Sequence, residues 1–294
     1  MPKLSRFCVI VLVSVLAACG SATAESPTAT VAEALPSVEE ATLVPELVAL
    51  VNGEGVSEAM YQRSLALYRD AQAQSGTLLA TEDVEQIVLS DLVSRLLLAQ
   101  GARAEGFSAD ENMVQERLSK LIEDAGGQAV FDAWLSQHGY SADAFVEELS
   151  LEIEAGWMRT NITEAVPSSA EQVLARQILL SDLFQAERLL AQLESGTPFE
   201  TVVINNDPQR LGTLGWFPRG YLFQPEVEEA AFALQPGETS AIVESILGYH
   251  LIEVLEREAD RELSPQAHLQ LQLQALDDWI DEELGKSDIE VFLP

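Results

Sequence analysis

Cysteine is nearly absent from this 294-residue chain. Its two examples, Cys8 and Cys19, both fall within the first twenty residues, so neither a disulfide framework nor a cysteine-based metal site can exist downstream. Histidine occurs three times, as His138, His250 and His268, too dispersed for a zinc motif read from spacing. Lysine is equally scarce, at Lys3, Lys120 and Lys286. Against 16 Lys+Arg stand 48 Asp+Glu, a formal net charge of −32. A chain with that balance lacks the basic face that phosphate binding needs, which excludes a nucleic-acid binder. What the chain does have is the material of a core. Apolar residues make up 47% and charged residues only 22%, so most of it folds rather than remaining an acidic disordered tail. Its length suits two domains after processing.

The first 18 residues read as an address. Lys3 and Arg6 precede the apolar run Phe7 to Ala18 (FCVIVLVSVLAA). Twelve residues are too few to span a bilayer, which takes about 20, but they fit a signal-peptide core. The run ends Leu16-Ala17-Ala18-Cys19, which resembles a bacterial lipobox. That resemblance implies cleavage before Cys19 and lipidation of its thiol, and two acyl chains suffice for stable anchoring. The other reading is an ordinary secretory signal with an incidental Cys19. Residues 19–46, rich in Ala, Ser, Thr, Pro and Glu without an apolar period, are expected to be the lipidated Cys and a flexible tether.

From 47 to 165 the pattern is mainly helical. Leu47 to Val51 is a short strand-like run, turned by Asn52-Gly53 and Gly55. Ser57 can cap a helix running to about Ala73. Thr81 opens another, with Val84, Val88, Leu92 and Leu96 every four residues. Ser108-Ala-Asp-Glu111 reads as a capping box for a third. Phe131, Trp134 and Leu135 mark a short fourth helix, and Ser141 opens a fifth carrying Phe145, Leu149, Ile153 and Trp157. For Trp134, Phe145 and Trp157 core packing is the favoured role. The stretches VALVNGEGVSEAMYQRSL, IVLSDLVSRLLLAQGARAEGFSADENMVQERL and GGQAVFDAWLSQHGYSADAF, in this order, resemble the N-terminal domain of the SurA and PrsA class of extracytoplasmic chaperones.

Val166-Pro167-Ser168-Ser169 is a natural joint, because proline ends the preceding helix. After it a β-rich run (173–180), an amphipathic helix (184–194), a short helix from Pro198, a Gly-rich loop (211–220) and a helix (225–234) precede two strands near 240–246 and 249–255. The pieces ARQILL, AERLLAQLESGTPFETV, NNDP, LGTLGWFPRG, PEVEEAAFAL, PGETS and GYHLIEVLERE resemble, in family order, a parvulin-type peptidyl-prolyl isomerase domain. The resemblance implies a four-stranded antiparallel sheet with helices packed around it, hence an α+β chain of a helical chaperone lobe plus an isomerase domain over 168–258. It also implies rotation about X-Pro amides, a reaction that breaks no bond and needs no cofactor or metal.

By position, Gln177 stands where the family has a histidine in its first strand, while the final-strand histidine is kept as His250. Asp207 aligns with the family's acid or thiol. With Gln177 and His250 it forms the implied catalytic set. Leu222, Val227 and Phe232 align with the apolar seat for the proline ring, which loses an aromatic at Val227. A histidine on a strand can equally serve the fold through hydrogen bonds, and Gln177 can equally be its buried polar partner. Weak isomerase activity is compatible with Gln177, which donates and accepts but carries no charge.

Ser264-Pro265 starts a last helix, and Asp288 to Leu293 reads as a terminal strand. By the resemblance, 264–294 returns to complete the chaperone lobe, with 288–293 pairing against 48–51. The leading expectation is a membrane-anchored extracytoplasmic foldase acting on unfolded or nascent exported polypeptides that contain proline. A holdase whose isomerase-like domain only binds, and a lipid-anchored scaffold, are the alternatives.

Overall fold

A computed structural model of the protein describes residues 46–75, 80–206 and 212–293. The expected signal, Cys19, most of the tether and Asp207 lie outside the described residues. The described chain folds as two units, one running to Arg159 and resuming at Ile280, the other Thr160–Trp279. Among the described residues no helix is long and apolar enough to cross a membrane.

The first unit starts with a hairpin, β1 (Leu47–Val51) and β2 (Glu54–Ser57). Its two-residue turn puts Asn52 at φ 53° and Gly53 at φ 82°. Asn-Gly is the pair best suited to that left-handed turn, which matches strand twist. Only the first strand is evident in the sequence, since Gly55 disguises the second. β7 (Ile289–Val291) completes a β2-β1-β7 sheet, with Ala49 opposite Val291 and Val51 opposite Ile289. Asn52 fixes this junction, because its Oδ1 accepts from the Asp288 amide at 3.0 Å and its own amide donates to the Asp288 carbonyl at 2.8 Å.

Five helices follow: α1 (Glu58–Ser75), α2 (Thr81–Ala104), α3 (Glu111–Asp124), α4 (Gln128–Gln137) and α5 (Ala142–Glu164). Val84, Val88, Leu92 and Leu96 on α2 are all buried, and each such side chain contributes about 1.5–3 kcal/mol by leaving water. Ser57 and Ser141 accept from the amides of Met60 and Ala144, as helix caps do. At α3 the cap is Asp110, which accepts from Met113. It replaces Ser108, the residue favoured by the sequence pattern, because the helix begins too late for Ser108 to reach. The aromatic residues of α4 and α5 pack together, with Phe145 edge-on to Phe131, Trp134 and Tyr140. Burial and the Glu148 carboxylate push the Tyr140 phenol up to about 12.

The second unit is built on β3 (Ser169–Leu180), which lies between β4 (Thr213–Pro218) and β6 (Gly248–Glu262), with β5 (Val243–Ser245) outside β6. Every pairing is antiparallel. Side chains alternate across the sheet. Val173, Ala175, Ile252 and Val254 pack with Phe217 and α8 (Pro225–Ala233) on one face. Ile178, Leu180 and Leu251 pack on the other face with α6 (Leu183–Glu194) and α7 (Phe199–Asn206). β4 runs through the segment expected as a Gly-rich loop. Gly212, Gly215 and Pro218 hide it in the sequence, and pairing with β3 creates it. β6 is likewise longer than its apolar run, because its polar end pairs with β3 back to Ser169. Ser264 caps α9 (Pro265–Lys286) through the Ala267 amide.

Candidate active site

Register brings the polar groups together. Gln177 lies opposite Ile252, and Leu179 opposite His250, so Gln177 and His250 are diagonal neighbours on one face. Gln177 is fixed by its own backbone, whose amide donates to the Gly212 carbonyl at 2.7 Å. Gly212 sits at φ 64°, and a Cβ there would collide with the Gln177 carbonyl oxygen. Only glycine fits this approach.

His250 has 0% exposure and both ring nitrogens are engaged. Its Nδ1 lies 2.8 Å from Gln177 Oε1, and its Nε2 lies 2.6 Å from Ser245 Oγ. An amide oxygen only accepts, so Nδ1 carries the proton and Nε2 takes the Ser245 hydroxyl proton as acceptor. Ser245 Oγ in turn accepts from the Leu247 amide at 3.0 Å. Burial pushes the His250 pKa below its ordinary value, against a weaker opposing pull from the Glu226 carboxylate. The ring is therefore held neutral. Among the described residues the Gln177 Nε2 group has no protein partner, so the donor of this network is available to a ligand.

The apolar residues meet in the adjoining cluster. Val227 is 1% exposed and Phe232 4%, with Leu214, Tyr221, Leu222 and Val243 partly covered around them. Phe232 packs edge-on to Phe217 at 6.0 Å and lies beneath the Arg219 guanidinium, 4.1 Å from its centroid. It is part of the floor. The surface left open belongs to Leu222 and its partly covered neighbours. Leu222 is positioned by Glu228, whose carboxylate accepts from the amides of Gly220, Tyr221 and Leu222 at 2.7, 3.0 and 3.1 Å. Gln270 on α9 holds the same loop from its carbonyl side, donating to Tyr221 at 2.8 Å.

Ser245, Leu214 and Glu228 do not stand out in the sequence. Ser245 becomes recognisable only once the strands are paired, when a two-residue turn returns the chain from it toward His250. Asp207, the remaining candidate, lies outside the described residues.

Comparison with known proteins matches these two halves separately. Residues 5–159 match the model of a SurA-like N-terminal domain, and residues 182–256 that of a PPIC-type PPIase (rotamase) domain. The foldase protein PrsA of Caldanaerobacter subterraneus subsp. tengcongensis is 28% identical over 71% of this chain and 72% of its own length. The chaperone SurA of Nitrosococcus oceani is 27% identical, covering 71% of this chain. PrsA of Halalkalibacterium halodurans is 30% identical, covering 62% of it. The chain spans 58% and 61% of the length of these last two relatives. The crystal structure of PrsA from Bacillus cereus aligns over 84% of this chain and 94% of its own, with 19% identity and a TM-score of 0.47. A SurA-like N-terminal model that matches more than half the chain, followed by a rotamase model whose match takes in Ser245 and His250 and begins just after β3, leaves one family: the chain belongs to the parvulin-type SurA/PrsA foldases and carries a peptidyl-prolyl cis–trans isomerase domain.

Proposed function

We propose that this protein is a membrane-anchored extracytoplasmic foldase that speeds X-Pro isomerisation in exported, unfolded chains and shelters them meanwhile. The observation that carries the catalytic part is the Gln177–His250–Ser245 network, set against the apolar surface of Leu222 and its neighbours. Rotation about the X-Pro amide meets a barrier of about 18–20 kcal/mol. Planar resonance separates charge, so water favours the planar state over the twisted one. Apolar contact around the proline ring removes water and lowers the relative energy of the twisted state. At the twist the amide nitrogen regains its lone pair and becomes an acceptor. Gln177 Nε2 can donate to it, while His250 fixes the carboxamide through the opposite oxygen. His250, wholly buried, acts through Gln177 rather than by touching the client.

The test is exchange kinetics on a prolyl tetrapeptide with the full chain. Catalysis lost in Gln177→Leu, with the fold intact, supports this reading. A wild-type rate equal to the uncatalysed one overturns it. The near-complete cover over Val227 and Phe232 favours a second reading, a holdase whose isomerase-like domain only binds. In that case the chain suppresses aggregation of an unfolded client without accelerating the peptide. The lipobox-like Leu16-Ala17-Ala18-Cys19 supports anchoring through Cys19. Metabolic labelling with a fatty-acid analogue, lost in Cys19→Ser, tests that part.

A further inference from the structure

Beyond Gln177, the face of the sheet that carries the polar network ends in apolar side chains that are not buried. Leu179 alternates with Gln177 on β3, so the two project to the same side. It stands opposite His250, which in turn stands opposite Val243 on β5. These three form one row across three strands. His250 is wholly covered, yet Leu179 is 45% exposed. Beyond the row, Ser245 leads into the turn Ile246–Leu247, whose members are 82% and 52% exposed. The turn comes close to Leu179, since a Cβ on Gly248 would lie 3.5 Å from Leu179 Cδ1. Tight hairpin turns favour Gly, Asn, Asp and Ser. Ile-Leu at this tip instead leaves apolar surface in water.

The order along β3 is informative. The apolar cluster lies around Val173 and Ala175, the polar network at Gln177, and Leu179 one step of about 7 Å further on. An X-Pro dipeptide has the same order: ring, amide, preceding side chain. We propose that Leu179, Ile246 and Leu247 form an apolar shelf that seats the client side chain immediately before the proline. The domain thereby selects leucine or a similar apolar residue at that position. Glu226, exposed and close enough to act on His250, disfavours an acidic one. The inference rests on the isomerase reading of the Gln177–His250 site and adds its specificity.

The experiment uses the full chain and three tetrapeptides, Ala-Xaa-Pro-Phe with Xaa as Leu, Ala or Glu. Wild type should have kcat/KM highest for Leu and lowest for Glu. In Leu179→Ser, and in Ile246→Ser/Leu247→Ser, the Leu-over-Ala preference should fall about tenfold while the rate on the Ala peptide stays within about twofold. All three positions are exposed, so thermal unfolding should hardly move. Equal preference in wild type and both variants overturns the shelf. Methyl NMR of the same protein separates this inference from the reading beneath it. Greater perturbation of Leu179, Ile246 and Leu247 methyls by the Leu peptide than by the Ala peptide supports the shelf, even in a chain that binds without turnover. Equal perturbation by both peptides overturns it.

Discussion

Gln177 and His250 share a hydrogen bond of 2.8 Å from the imidazole Nδ1 to the carboxamide Oε1. That contact decides the proton's place on the ring, and it leaves the Gln177 amide donor pointing elsewhere. Replacing His250 by alanine should therefore have two effects. Stability should fall by about 3 kcal/mol, because a wholly buried ring is lost and the Gln177 oxygen loses its buried donor. Isomerisation should slow by about tenfold or more, since Gln177 is then free to rotate. Urea unfolding and exchange NMR on a prolyl peptide measure the two separately. Gln177→His should keep activity, because the imidazole again offers a donor at this position.

Neutral burial of His250 makes stability depend on pH. Its folded pKa is pushed below the ordinary 6.5 by burial, with Glu226 opposing. The unfolded chain therefore binds this proton more readily than the folded one. The contribution is complete above about pH 6.5 and declines as pH falls through 6.5 towards the folded value. Other carboxylates titrate further down, so the measurement is a difference. The wild-type loss of unfolding free energy between pH 7.5 and 5.5 should exceed the loss in His250→Asn. An equal loss in both would show that His250 protonates as readily folded as unfolded.

Gly212→Ala should cost about 2–4 kcal/mol. The backbone at φ 64° is strained for alanine, and the new methyl must push the Gln177 carbonyl away. Because the Gln177 amide also bonds the Gly212 carbonyl, the displacement should reach the active site. Activity should then fall more than the folded fraction does, as seen by comparing initial rates with circular dichroism at one temperature.

The helical lobe was largely legible in the sequence because its signals are local. Four-residue spacing on α2, caps at Ser57 and Ser141, and Asn52-Gly53 all act within a few residues. What escaped depends on partners far along the chain. β4 has a glycine and a proline within six residues, and becomes a strand only by pairing with β3. The polar end of β6 is held by Ser169 and its neighbours. The same divide runs through the site. His250 and Gln177 stand out by resemblance to a family, whereas Ser245 is an unremarkable serine until the hairpin folds. Phe232 reads as pocket wall from its place in the motif, and the packing of Phe217 and Arg219 around it makes it floor.

Glu228 shows how a carboxylate outside the polar network can shape the proline seat. One side chain on α8 gathers three successive backbone amides, from Gly220 to Leu222. In its absence the loop must turn those donors to water, and Leu222 loses its fixed place. Glu228→Ala should destabilise the domain by about 2 kcal/mol, in keeping with loss of partly exposed hydrogen bonds to a charged acceptor. Its kinetic signature should be a raised KM for the prolyl peptide with kcat less affected, because the change loosens the apolar grip rather than the Gln177 donor. Glu228→Gln keeps one acceptor oxygen and should fall between wild type and alanine. Amide NMR signals of residues 220–222 should move towards solvent-exposed positions in the same order. A kcat loss without a change in KM would instead place Glu228 in the rate-determining twist.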